Sequence, residues 1–207
     1  MNKIIESDKI ILLGSGGHAK VLLDIIKKNN FSVLGIVEKF STNTNNLGYE
    51  NLGDDSYLDS CSTENTVIVN GVGISPKNID SRSLLNEKIE KIGFSFINMI
   101  HPSAIIANDV FLSDGCQIFA GSVIQPGSKI GSHSIINTSA IIDHDCIISN
   151  NTHIAPGVVI SGGVEIGKKT FIGAGTNIAN NIRIGKNCII ASGSAIYKDI
   201  PDNTNNF

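Results

Sequence analysis

The segment Asp143-His144-Asp145-Cys146 has the clearest capacity for proton chemistry in this 207-residue chain. A carboxylate that accepts a hydrogen bond from one imidazole nitrogen fixes the tautomer and makes the other nitrogen a better base. His144, flanked by carboxylates, is therefore a candidate general base. The competing reading is a surface histidine in a charged corner. Asn137, seven residues earlier, is a further polar candidate for the same region. His153 follows nine residues after His144, and the remaining histidines are His18, His101 and His133.

A second chemical signal lies near the N-terminus. Gly14-x-Gly16-x-x-Ala19 follows a short apolar run and opens a helical pattern, which matches a dinucleotide-binding fingerprint with alanine at the third place. Glycines let the backbone approach a phosphate, and a helix N-terminus supplies N–H donors and partial positive charge. Glu38 ends the second apolar run, where a ribose-binding carboxylate is expected. His18 inside the turn and the small size of the sheet argue for a mononucleotide carrying a sugar rather than for NAD. A tight turn with no ligand is the alternative.

The elements that must position these groups fall into two grammars. Residues 1–97 alternate strand and helix. Strands are expected at Ile10–Leu13, Ser32–Val37, Val67–Val69 and Phe94–Ile97, with helices at Ala19–Lys28 and Leu84–Ile92. The stretch Phe40–Leu58 reads as a loop with little regular structure. That alternation predicts a small parallel, Rossmann-like α/β sheet of about four strands. Residues 98–207 instead follow a period of six. Ile100, Ile106, Leu112, Ile118, Ile124 and every sixth residue onward to Ile196 form an unbroken column of 17 positions, all isoleucine but one. Such a period predicts a parallel β-helix of hexapeptide repeats, a scaffold common among acyltransferases.

The column also acts as a ruler. From Ala104 onward, nearly every position two residues before an aliphatic holds a small or β-branched residue, including Cys116, Cys146, Cys188, Thr152, Thr170 and Thr176. Residues two apart on a strand share a face, so this column points inward too. Three of the four cysteines are thereby read as buried thiols, and the inward threonines exclude a flat ice-binding array. Three hexads make one coil, so residues 18 apart stack. No three histidines align at that spacing, and no metal site is expected. His144 falls at a corner and His153 midway along a face, both pointing outward. They cannot meet within one chain, but they can meet across two prisms packed side by side, which favours a site shared within a closed trimer. After Ile196 the column stops, and the polar tail Pro201–Phe207 is expected to fray.

Composition narrows the classes. The chain is 41% hydrophobic and 17% charged, with a net charge of −3, which excludes bulk-charge binding of nucleic acid. The apolar run at Ile10–Leu13 is too short for a signal segment or a membrane span, so a cytoplasmic protein with free thiols is expected.

Taken in order, several motifs resemble one family. They are Gly14-Ser15-Gly16-Gly17-His18-Ala19-Lys20, Val69-Asn70-Gly71-Val72-Gly73, Ile100-His101-Pro102-Ser103-Ala104, Asn137-Thr138, Asp143-His144-Asp145-Cys146 and His153-Ile154-Ala155-Pro156-Gly157. Together they resemble the sialic-acid O-acetyltransferase (NeuD) family, which includes nucleotide-sugar N-acetyltransferases of the PglD and PerB type. The resemblance implies a left-handed β-helix, a homotrimer and acetyl-CoA as donor. It further implies His144 as general base and Asp145 as the group that raises its basicity. His153 would contact acetyl-CoA from the adjacent subunit, with backbone near Ala174 and Ser192. Gly16, Gly17, His18, Glu38, Lys39 and Gly73 would hold a nucleotide-linked amino sugar or a sialic-acid-type sugar destined for a bacterial surface glycan. Two departures stand out. Family members usually carry Asp where Glu38 stands, and often continue into a Gly-x-Pro-Ala-Lys tail. A non-catalytic sugar-nucleotide-binding or scaffold protein derived from such an enzyme is the competing reading.

Overall fold

The structure, a computed structural model, describes residues 9–38 and 47–206. Its first part is a parallel sheet built from β1 (Lys9–Leu13), β2 (Ser32–Val37), β3 (Asn51–Gly53), β4 (Thr66–Asn70) and β5 (Ser95–Phe96), in the order β3-β2-β1-β4-β5. The helices are α1 (Gly17–Lys28), α2 (Tyr57–Ser60) and α3 (Ile79–Ile92). β1 is apolar on both sides, as a strand between two helix layers must be. Ile10 and Leu12 pack with Leu22, Ile25 and Ile26 of α1. Ile11 and Leu13 pack on the opposite side with Leu58 and Ile89.

Two expectations are corrected here. The sheet has five strands rather than about four. The extra one, β3, lies inside the stretch read as a loop, where Ile36 pairs with Asn51 and Val37 with Gly53. A three-residue edge strand rich in Asn and Gly carries no usable periodicity. In addition, α3 begins at Ile79, a turn and a half before the expected Leu84. Its first turns hold Asp80, Arg82 and Ser83, and the buried Arg82 and Ser83 do not register as an apolar face.

From Met99 onward the chain winds into a triangular prism of two-residue parallel strands. Residues 18 apart pair directly, for example Ile124 with Ile142 and Ile142 with Ile160. The isoleucine column fills the centre: Ile118, Ile130, Ile136, Ile142, Ile154, Ile160 and Ile172 are all fully buried. Burying each such side chain is worth roughly 1.5–3 kcal/mol, so the column is the main source of cohesion. Cys116, Cys146, Cys188, Thr152 and Thr176 are also fully buried, and Thr170 nearly so. Their side chains reach backbone carbonyls of the next coil, as Thr152 Oγ1 does to Gly167 and Thr170 Oγ1 to Gly185.

Among the described residues, to position 206, the tail stays ordered on the prism. Between Ile196 and Ile200 the spacing drops from six to four, and Ile200 takes the inward place by bridging Ile184. Beyond it Ile189 pairs with Asn205. Asp199 and Asp202 cap the previous coil by accepting from the N–H groups of Arg183 and Lys186, at 2.8 and 2.9 Å. A search for aliphatics at strict sixth positions cannot register this two-residue deletion.

The prism has three outward faces. One carries Gln117, Ile135, His153 and Phe171, which stack in register. The α/β part docks on this face. Asn29 Nδ2 donates to Ile100 O at 3.0 Å, Glu90 meets His133 Nε2 at 2.7 Å, and Phe119 joins the core beneath α1. A second face presents Ile105, Val123, Ile141 and Val159 outward. Its Ile105 and Ile141 are 65% and 40% exposed, large values for isoleucine in a regular sheet. The third face carries Lys129, Ile147, Glu165 and Arg183.

Candidate active site

His144 stands at the corner between the bare second face and the third face. Its Nδ1 lies 2.8 Å from Asp145 Oδ2, and its own N–H donates to Asp143 Oδ1 at 2.8 Å. Asp145 takes a left-handed backbone conformation, φ +58°, which turns its carboxylate back toward the imidazole. The hydrogen bond that His144 donates to Asp145, and then the charge of Asp143, raise the basicity of His144. Because a carboxylate can only accept, Nδ1 carries the proton and Nε2 presents its lone pair. Gly162, one coil below, makes room for the ring: a Cβ there would lie 2.5 Å from His144 Nε2 and 2.6 Å from Cε1. The rule that residues 18 apart stack pointed straight at this glycine, which sequence reasoning missed.

Asn137 is not part of this group. It stands at the opposite edge of the bare face, where its Oδ1 accepts from the N–H of Thr138 at 2.8 Å. Seven residues carry the chain across a whole face, so closeness in sequence misled. Ala174 and Ser192 lie on the same edge as Asn137, both exposed, and stack through Gly193 N–H to Ala174 O at 2.8 Å. The bare face is thus bordered by His144 on one edge and by Asn137, Ala174 and Ser192 on the other.

His153 departs from expectation. It does point out of the prism, but it is only 6% exposed because the chain's own α/β part covers it. Its ring stacks on Phe171, centroids 4.9 Å apart, and Nδ1 is buried without a partner. Burial, and then the nearby His18 and Arg82, push its pKa down to about 3. Within its own chain the imidazole is neutral and packed on Phe171 beneath the α/β part.

The glycine turn forms a separate cavity of about 480 Å³, lined by Gly14–His18, Glu38, Gly71–Ser75 and Asn78. Gly16, Gly17, His18, Glu38 and Gly73 therefore come together; Lys39 lies outside the described residues. A Cβ at Gly16 or Gly17 would meet nothing within 4 Å, so these glycines leave open space over the start of α1. No side chain caps α1, and its first N–H groups face that space unclaimed by a cap. Glu38 Oε2 accepts from Ser15 Oγ at 2.5 Å. His18 Nε2 meets Gln117 Oε1 at 2.7 Å, and burial lowers the His18 pKa to about 4. Arg82 lies fully buried beneath the cavity wall, donating from Nη1 to Asn70 O and Val72 O.

Neither Gln117 nor Arg82 was anticipated. Gln117 did carry a signal, since it occupies the same outward column as His153, two coils away. Arg82 sits in the unread first turns of α3. Among the described residues, no group of three His, Cys, Asp or Glu is arranged to hold a metal, and no helix is long and apolar enough to cross a membrane.

A left-handed hexapeptide prism with a histidine–carboxylate corner, joined to a glycine-rich α/β cavity, defines a hexapeptide-repeat acyltransferase with its own substrate-binding part. Comparison with known proteins narrows the class. The PglD N-terminal domain family matches residues 9–88, and the bacterial transferase hexapeptide family (six repeats) matches residues 163–198. A histidine-to-asparagine variant of perosamine N-acetyltransferase from Caulobacter crescentus, solved with CoA and GDP-perosamine, is 31% identical. The match covers 95% of this chain and 92% of that one, with a TM-score of 0.87. The acetyltransferase domain of PglB from Neisseria gonorrhoeae FA1090, in complex with acetyl coenzyme A, is 30% identical over 95% of this chain and 94% of that one, TM-score 0.84. WeeI from Acinetobacter baumannii AYE shares the fold at 20% identity, covering 95% and 94% of the two chains, TM-score 0.82. No curated protein sequence matches. The chain belongs to the PglD- and PerB-like family of hexapeptide-repeat nucleotide-sugar N-acetyltransferases.

Proposed function

We propose that this chain transfers the acetyl group of acetyl-CoA to the amino group of a nucleotide-linked amino sugar, with His144 as general base. The observation that carries the reading is the His144–Asp145 pair, an exposed imidazole whose Nε2 lone pair is free and whose basicity is raised. The sugar amine attacks the thioester carbonyl while its proton passes to Nε2. The tetrahedral adduct then expels CoA as thiolate, which takes the proton back from His144. The buried prism thiols take no part. The nucleotide-sugar lies in the glycine-rich cavity, its phosphates on the open N-terminus of α1 and its ribose on Glu38. An amine acceptor is favoured over a hydroxyl, as in sialic-acid O-acetylation, because the comparison proteins of 30% identity or more include a perosamine N-acetyltransferase. Cytoplasmic action fits these substrates.

The working unit is a homotrimer packed through the bare face. The two borders of that face support this, with His144 on one and Asn137, Ala174 and Ser192 on the other. Packing on it sets the His144 edge of one prism against the edge of a neighbour bearing Asn137, Ala174 and Ser192, where acetyl-CoA is held. His153 reaches the coenzyme only through Nε2, since Nδ1 is buried.

The test is acetyl-CoA consumption over UDP-, GDP- and CMP-linked amino sugars and free sialic acids. Turnover of one nucleotide-linked amine, with loss of at least 10²-fold in His144→Ala, supports the reading. Turnover of free sialic acids alone, or of none of the panel, defeats it. Sedimentation at three times the 21.9 kDa chain mass checks the trimer.

A further inference from the structure

The contact between His18 and Gln117 determines more than proximity. Gln117 is 2% exposed, and its carboxamide is held at both ends. Nε2 donates to Asn70 O at 2.8 Å, and Oε1 lies 2.7 Å from His18 Nε2. Asn70 O is a carbonyl and can only accept, and it also accepts from Arg82 Nη1 at 3.0 Å. Turning the amide over would set oxygen against oxygen in a buried place, at a cost of about 1–3 kcal/mol for each unsatisfied group. The NH₂ of Gln117 is therefore committed to Asn70, and its oxygen to His18. An oxygen acceptor there requires the proton on His18 Nε2.

Asn70 is itself held in place. Its Nδ2 donates to Asn86 Oδ1 at 2.7 Å, and its Oδ1 accepts from the N–H of Val72 at 2.9 Å. The chain of bonds thus runs from α3 through β4 and the prism into the ring of His18, which lines the glycine-rich cavity. Resting on the reading that this cavity takes the nucleotide-sugar, we propose that Gln117 is a positioning residue. It locks His18 in the Nε2–H tautomer, so that the cavity wall offers a bare Nδ1 acceptor and selects a ligand bearing an N–H or O–H donor there.

Phosphate oxygens carry no such donor and are left to the α1 N-terminus. A sugar hydroxyl, a sugar ammonium or a ribose hydroxyl qualifies. The imidazole stays uncharged near neutral pH through its burial and the nearby Arg82, so it meets the ligand as an acceptor and not as a cation.

The test is ¹⁵N-histidine NMR of the full chain at neutral pH, with His18 assigned by its absence in His18→Phe. The expected spectrum has one protonated nitrogen, Nε2, and one bare nitrogen, Nδ1. In Gln117→Met, which keeps length but neither donates nor accepts, the two tautomers mix. A protonated Nδ1 in the wild type overturns the proposal, as does an unmixed Nε2–H tautomer in the variant. If Gln117→Met does not fold, the wild-type spectrum alone decides. The kinetic arm uses whichever nucleotide-sugar the panel identifies. KM for it rises about tenfold in Gln117→Met, more than kcat falls, while KM for acetyl-CoA changes less than threefold. A fall in kcat with KM unmoved rejects the selection role. If no panel compound is turned over, the functional reading fails while the tautomer result stands by itself.

Discussion

Gly162→Ala separates a catalytic role for the His144 corner from a structural one. A methyl group at position 162 would lie 2.5 Å from His144 Nε2, 2.6 Å from Cε1 and 3.1 Å from Cδ2. Ordinary contact begins near 3.4 Å, so the ring must retreat by about 0.9 Å. It can do so cheaply, because the imidazole is the exposed end of a rotatable side chain. Position 162 is also absent from the glycines with positive φ, so alanine meets no backbone strain. The fold is therefore expected to change by less than about 1 kcal/mol, since losing glycine freedom in the unfolded chain offsets the steric cost. Catalysis has no such tolerance. A displacement of about 1 Å can cost on the order of 10²-fold when reacting atoms must align, and this one also pulls Nδ1 from its carboxylate. The expected outcome is a kcat/KM about 10²-fold lower with an almost unchanged melting temperature. The assay is thiol release from acetyl-CoA beside a thermal melt. Wild-type turnover in Gly162→Ala would refute the assignment of His144 as base, because the ring cannot stay in place with that methyl present.

Asp145→Asn removes the group that raises His144 basicity, so the acidic limb of the kcat profile is expected to move to lower pH while the plateau falls; an unmoved limb in pH–rate measurements contradicts the pairing. Ellman titration of the native chain is expected to report Cys61 alone. The other three thiols are buried, with Cys116 pushed up to about 12, and labelling of more than one thiol before unfolding contradicts the inward register. Acid stability carries the signature of two buried neutral histidines. His153 and His18 fall from 6.5 to about 3 and about 4, so the unfolded chain binds more protons than the folded one below pH 6.5. Stability should then decline from pH 6.5 toward 4 by up to about 1.4 kcal/mol per pH unit for each histidine, and His153→Phe should flatten a plot of melting temperature against pH.

The prism was legible because its repeat is a steric requirement. One inward aliphatic per strand and two residues per strand leave no freedom in the spacing, so Ile100 through Ile196 could be read as geometry. The same ruler set His144 at a corner and turned three cysteines inward. Where the spacing changed, at Ile200, the ruler failed. The glycine-rich cavity was legible for a different reason. Gly16, Gly17, His18 and Glu38 follow consecutive strand ends of a parallel sheet, and strand ends on one edge converge whatever the loops between them do. The contacts of His153 were not legible. They depend on which of three similar faces the α/β part covers, and that choice is made by scattered groups such as Asn29, Glu90 and Gln117, which follow no period.

In the proposed trimer, that choice of face lets one chain present two half-sites. The α/β part covers the face bearing His153 and sets His18 close to it. It leaves bare the face whose borders carry His144 and the Asn137 edge. Had it docked on the bare face instead, Ile105 and Ile141 would be buried within the chain and both borders blocked. Docking therefore removes one of the three prism faces and leaves the second and third open to a neighbour. Ile141→Arg tests the consequence. Its side chain is 40% exposed at the middle of the bare face, so a charge there should leave the isolated fold intact. In a packed trimer it would place three guanidinium groups on buried apolar surface, where unpaired charge is strongly unfavourable. Sedimentation is expected to shift to the single-chain mass of 21.9 kDa, with acetyl transfer lost even though the His144–Asp145 corner is untouched. A fully active single chain would show that one prism is sufficient for catalysis.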